Sequence, residues 1–199
     1  YDFSSEDVRE SREQKRNNKE RLQVSLGLTV DRSAPLIALI ARLDEQKGLR
    51  LLAPKLRDIL RANPNAQIII VGREYDKEAV DMIRWLPFEY EPEGRWDFRG
   101  RAYVLPEFLD ENLVHLIYAS ADIFLVPSLD EPCGLTQMIA AYYGTPSVVR
   151  YVGGLADSIE NYEYSDGTGY GFVFFDPTPE ALQEAVQRAL DTYADENNW

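Results

Sequence analysis

Several short runs of the chain are apolar at consecutive positions rather than at alternate ones: residues 35–40, 67–72 and 123–126. Unbroken apolar runs of this length mark strands buried on both faces, as in a parallel sheet. Residues 145–149 and 172–175 read as two more short strands. Between the runs the period changes. Leu49, Leu52, Ala53, Leu56, Ile59 and Leu60 recur at helical spacing, as do Leu109, Leu113, Leu116 and Ile117. Leu182, Ala185, Val186, Ala189, Leu190 and Tyr193 give a clean apolar face behind Thr178 and Pro179, a strong helix start. Pro54 conflicts with the first of these helices and predicts a start near Leu51 or a bend there. Pro106 is placed at the first position of the second.

Weaker signals fill the gaps. A helix is expected over residues 76–84 and a short strand over 97–100. The aromatic, turn-rich stretch 85–98 reads as a loop packed on the body. Ser4 and Asp7 have capping-box spacing, and the run from Glu6 to Arg21 is dense in charge. It reads as a solvated surface helix ending at Gly27. Buried strands alternating with helices imply right-handed crossovers. The expected fold is α/β and Rossmann-like, a mostly parallel sheet with helices on both faces. With no internal repeat or linker, residues 1–199 read as a single domain.

Charge and composition narrow the function. The 199 residues carry a net charge of −13, which argues against nucleic acid. An anionic ligand would therefore need a local cluster of cations. No apolar run is long enough to span a bilayer, and no signal peptide is read before the first charged stretch. Cys133 is the single cysteine, so no intrachain disulfide can form and a reducing compartment is expected. His115 is the single histidine; it lies off the apolar stripe with no obvious partner and reads as a surface or packing residue.

The candidate chemistry sits in loops at the carboxyl ends of predicted strands, where open α/β sheets bind ligands. They carry Arg42 and Lys47, then Gly72 and Arg73, then residues 131–136, then Gly153 and Gly154. No Gly-x-Gly-x-x-Gly or Walker pattern is present. Two cations plus helix starts suit a diphosphate. Each feature alone has a plain reading: surface charge near Asp44 and Glu45, an acidic turn at Glu131-Pro132, a positive-φ loop at Gly153-Gly154. Their joint placement points to a sugar-nucleotide site.

These residues resemble a known family. The motifs are Arg42-Leu43 with Gln46-Lys47-Gly48, Pro127-Ser128 with Glu131-Pro132-Cys133-Gly134-Leu135-Thr136-Gln137, Tyr143-Gly144-Thr145-Pro146, residues 152–157 and Gly167-Thr168-Gly169. The chain is similar to the C-terminal, donor-binding domain of glycogen and starch synthases, retaining glucosyltransferases of the GT-B fold. Related glycosyltransferases carry a second glutamate eight residues after the first. Here that position is Ile139, as in the synthase branch, which Gln137 also marks. The resemblance implies that Arg42 and Lys47 hold the donor diphosphate, with no metal and no cofactor. It places Glu131 beside the transferred glucose. The N–H groups of Cys133, Gly134 and Leu135 would bind the sugar hydroxyls, Thr136 would sit near the distal phosphate, and Gly153 and Gly154 would let the chain pass close to the sugar. The donor would be ADP-glucose or UDP-glucose.

The acceptor, the non-reducing end of an α-1,4-glucan, would reach the site through an N-terminal domain that this sequence lacks. The isolated domain is then expected to be inactive, in the cytoplasm or, in a plant, the plastid. Phe108 or Tyr103 is the candidate for stacking on the base. The alternatives are another GT-B glycosyltransferase, half of a sugar-nucleotide epimerase, or a non-catalytic nucleotide- or glucan-binding module.

Overall fold

In the computed structural model, residues 5–91, 97–107 and 110–195 are described. Six strands form one parallel sheet in the order β3-β2-β1-β4-β5-β6. They are β1 (Leu36–Ile40), β2 (Gln67–Val71), β3 (Ala102–Leu105), β4 (Ile123–Val126), β5 (Ser147–Arg150) and β6 (Gly171–Phe174). The helices are α1 (Ser5–Leu26), α2 (Leu49–Leu52), α3 (Leu56–Ala62), α4 (Lys77–Ile83), α5 (Glu111–Ser120), α6 (Thr136–Tyr142), α7 (Gly153–Ser158) and α8 (Pro179–Ala194).

The unbroken apolar runs are explained by the layers. Successive strand residues point to opposite faces, so a strand covered on both sides has no polar position to spare. Ile37 and Leu39 join Ile68, Ile70, Ile123 and Leu125 on the face covered by α2, α3, α4 and α8. Leu36 and Ala38 join Ile69, Val71, Phe124 and Val126 on the face covered by α1, α5, α6 and α7. The order reverses direction between β1 and β4, which pair in register at Ile37↔Ile123. That reversal leaves a crevice at their carboxyl ends.

Most expected elements are present, and several corrections are informative. Pro54 separates α2 from α3, as its missing donor requires. The expected strand at 97–100 is a turn with a single bridge, Tyr90↔Asp97. The strand itself lies just beyond it, as β3 at the sheet edge, where partial exposure breaks the apolar run. Pro106 does not open a helix: α5 starts at Glu111, with Asp110 accepting from the N–H of Asn112. In the 85–98 stretch, Leu86 and Phe98 are buried, but Trp85 and Phe88 are exposed. The stacking candidate Phe108, the stripe residue Leu109 and the cap Ser4 lie outside the described residues.

α1 is the largest departure. One side is solvated, but Lys19, Leu22 and Gln23 are fully buried. The Lys19 ammonium lies 2.6 Å from the Asp122 carboxylate and donates to the carbonyl of Ala34 at 3.0 Å and to the Tyr193 hydroxyl at 3.1 Å. Asp122 also accepts the N–H of Leu36 at 2.8 Å. This cluster binds α1, the start of β1, the start of β4 and the end of α8 together. Lys15 donates to the Thr145 hydroxyl at 2.7 Å. His115 likewise has a partner, the Tyr143 hydroxyl, at 2.8 Å from Nδ1.

Candidate functional site

The crevice between β1 and β4 holds a hollow of about 200 Å³. Arg42 and Lys47 line it from the loop after β1, Ser128 and Glu131 from the loop after β4, and Thr136 from the first residue of α6. The two loops are fastened to each other. The N–H of Leu129 donates to the carbonyl of Gln46 at 2.8 Å, and the Gln46 amide reaches the carbonyl of Asp130 at 3.3 Å. Gly48 sits at φ 76°, and a Cβ there would fall 1.9 Å from the carbonyl oxygen of Pro127. Only a residue without a side chain permits both the turn and the approach.

Lys47 lines the crevice, and its N–H donates to Asp44 Oδ1 at 2.9 Å. Its ammonium donates to Glu131 Oε2 at 2.5 Å, and Ser128 donates to the same oxygen at 2.9 Å. Glu131 is 9% exposed, so its charge is held by named partners rather than by bulk water. Arg42 is less committed. Its guanidinium meets Gln46 Oε1 at 3.0 Å and Asp44 at 3.4 Å, with half the side chain exposed. The Tyr75 ring lies 5.9 Å from Arg42 and 5.4 Å from Arg73, a cation-π arrangement at the rim.

The glycine pair at the start of α7 packs against the backbone of the 131–133 loop. Gly154 donates to the carbonyl of Glu131 at 2.9 Å, and a Cβ on Gly154 would fall 2.0 Å from the carbonyl oxygen of Cys133. A Cβ on Gly153 would meet the carbonyl of Glu131 at 2.4 Å. Their smallness therefore lets α7 press against the 131–133 loop. Gln137, fully buried, crosslinks the same parts: its amide donates to the carbonyl of Gly134 at 2.8 Å and to Ser158 at 2.9 Å. The N–H groups of Cys133, Gly134 and Leu135 make no hydrogen bond among the described residues. They remain available at the start of α6.

Arg42, Lys47, Glu131 and Thr136 thus share one hollow, whereas Cys133, Gly134, Leu135, Gly153 and Gly154 do not line it and lie in the loop and helix start next to Glu131. Tyr103 packs on β3 with the core on the α1 side and does not line the hollow. Two residues escaped sequence reasoning. Ser128 lay within the motif, but nothing local indicated that it grips Glu131. Arg150, at the end of β5, donates to the carbonyl of Ser128 at 3.0 Å and also to that of Leu129, bracing the loop from below. No local pattern marks it. Among the described residues no group of His, Cys, Asp and Glu could hold a metal ion.

A parallel sheet whose strand order reverses at a crevice beyond the carboxyl ends of its central strands is a Rossmann-like α/β architecture. Residues 28–199 match the family of glycosyl transferases group 1, and the chain belongs to that family. It is 40% identical over 185 residues to a glycogen synthase of Clostridium botulinum (strain Alaska E43 / Type E3), covering 93% of this chain and 36% of that protein. A glycogen synthase of Bacillus cereus (strain Q1) is 38% identical over 186 residues, with 94% and 37% covered. The catalytic domain of starch synthase IV from Arabidopsis thaliana, bound to ADP and acarbose, superposes with a TM-score of 0.77 at 31% identity, over 93% of this chain and 37% of that one. The chain spans little more than a third of the length of these relatives.

Proposed function

We propose that residues 1–199 form one nucleotide-sugar-binding domain, the donor half of a glycogen or starch synthase. The reaction is transfer of glucose from ADP-glucose or UDP-glucose to the non-reducing end of an α-1,4-glucan, with retention. The observation that carries this reading is the convergence of Arg42, Lys47, Glu131 and Thr136 on one hollow in an otherwise acidic chain.

The chemistry follows from charge. Departure of a nucleoside diphosphate leaves negative charge on its distal phosphate. Arg42 and Lys47, carried by the loop after β1, are positioned to meet that charge. Lys47 is neutralised by Glu131 when no phosphate is bound, so the donor takes over part of that ion pair. Glu131, freed from Lys47 but still held by Ser128, then faces the sugar. The unengaged N–H groups at 133–135 supply donors for sugar hydroxyls, and Thr136 stands by the phosphate at the start of α6. The similarity to glycogen synthases and to a starch synthase bound to ADP supports the choice of donor. An epimerase would require paired acid and base carboxylates, and Glu131 is the carboxylate that lines the hollow among the described residues. No helix of the described residues is long and apolar enough to cross a membrane. We propose the cytoplasm, or the plastid in a plant, as the compartment of such a synthase, following the glycogen and starch synthases it resembles.

Titration calorimetry of the chain with ADP and UDP tests this reading. Binding of either nucleotide that is lost in Lys47→Ala supports it. Absence of any nucleotide response in the parent chain, or an unchanged affinity in Lys47→Ala, overturns it.

A further inference from the structure

A second hollow, of about 430 Å³, lies at the β6 edge of the sheet, lined by β6 and the segments around α7. That volume is within the range of small-molecule sites. Its floor is Ile159 and Val173, and its walls carry Tyr151, Tyr170 and Phe175. All three rings are more than half exposed, at 52%, 55% and 67%. Tyr151 and Phe175 stand side by side, ring centroids 5.1 Å apart and planes 42° apart. They are placed by adjacent strand ends, with the N–H of Tyr151 bonded to the carbonyl of Phe174 at 2.8 Å. Tyr170 is held by its hydroxyl, which donates to the carbonyl of Ser158 at 3.2 Å.

The polar rim limits what fits. Asp157 and Glu160 line the hollow, are exposed, and make no side-chain bond among the described residues. Asn161 is already spent, accepting from Val173 and Arg188 and donating to Glu163. No cation lines the hollow, so an anion is disfavoured. Aromatic faces carry negative charge in their quadrupole and attract the weakly positive C–H groups of a pyranose ring, while carboxylates accept its hydroxyls. The rings form an open, tilted platform rather than the closed cage that captures a quaternary ammonium. Tyr151 also lies two residues before Gly153, so the platform adjoins the flank of the first hollow.

We propose that this hollow is a glucan-binding subsite that stacks glucose units of an α-1,4-linked chain on Tyr151 and Phe175, outside the donor crevice. The choice of α-glucan among neutral sugars rests on the function proposed above; the stacking geometry does not. Calorimetry of the chain with maltoheptaose tests it, with ADP titrated in parallel. Parent binding that weakens at least tenfold in the double variant Tyr151→Ala, Phe175→Ala, with ADP affinity unchanged, is the expected result. Circular dichroism checks that the exposed substitutions leave the fold intact, and Asp157→Asn alone provides a milder second variant, expected to weaken binding severalfold. No maltoheptaose binding by the parent overturns the subsite. Equal binding by the double variant, by cellohexaose, or by choline in its place does so too. A missing ADP response with maltoheptaose binding retained and ring-dependent would sink the donor reading instead.

Discussion

The ammonium of Lys47 and the carboxylate of Glu131 meet at 2.5 Å across 84 residues of sequence. Neither loop sets this pair alone; the crossover between β1 and β4 does. A double-mutant cycle will register this ion pair. Lys47→Met and Glu131→Gln should each destabilise the chain by about 1–3 kcal/mol, since each strands a partner that is largely shielded from water. The double variant should cost less than the sum. Urea denaturation measures all three, and strict additivity would dissolve the pair. In a complete enzyme, Glu131→Ala should lower turnover by orders of magnitude with the fold retained.

Arg150 offers a test of positioning. Its guanidinium holds two successive carbonyls, Ser128 and Leu129. A lysine keeps the charge but not the fork. Arg150→Lys should weaken ADP binding severalfold although Arg150 does not line the hollow. Calorimetry reads the affinity, and an affinity equal to that of the parent chain would remove Arg150 from any part in shaping the loop.

Gly154 tests the flank. Its backbone needs no positive φ, so alanine is conformationally allowed there, but the new methyl would collide with the Cys133 carbonyl. Gly154→Ala is expected to push α7 off the 131–133 loop and reduce ADP affinity at least tenfold. Cys133→Ser changes only an exposed side chain and should leave affinity within about twofold, since a surface change of this kind is small in energy.

Lys15 carries a pH signature. Burial lowers its pKa to about 8, against the opposing pull of Asp122, and the Lys19 charge adds to the lowering. The unfolded chain keeps this proton up to about pH 10.4, so between these values the unfolded state binds more protons than the folded one. Stability contributed by this site therefore rises as pH climbs from 8 towards 10. Above that, unfolded tyrosines ionise while Tyr118, pushed up to about 12 by burial, does not, and stability falls again. Thermal melts of the parent and Lys15→Met between pH 7.5 and 9.5 should show the parent gaining on the variant. A constant gap would contradict the buried charge.

Much of the architecture was legible because its causes are local. Runs such as Leu36–Ile40 can be buried on both faces and nowhere else, and Thr178-Pro179 supplies both a cap and a fixed φ within two residues. β3 escaped because an edge strand is partly solvated and does not need an unbroken apolar run. The buried side of the charged helix α1 is hidden from the sequence for a related reason. A lysine reads as surface unless its counter-ion is known, and Asp122 is more than a hundred residues away.

The amino-acid order alone determined most of the strands and helices, β3 excepted, and which loops carry arginine, lysine, glutamate and paired glycines. It could do so because hydrophobic period, caps and turn residues act over a few positions. Only the folded chain decided that Glu131 answers to Lys47 and Ser128, that Arg150 braces their loop, and that Lys19 of α1 is buried against Asp122. Those choices depend on strand order and on which charges are shut away from water together, and neither quantity exists until distant segments have packed.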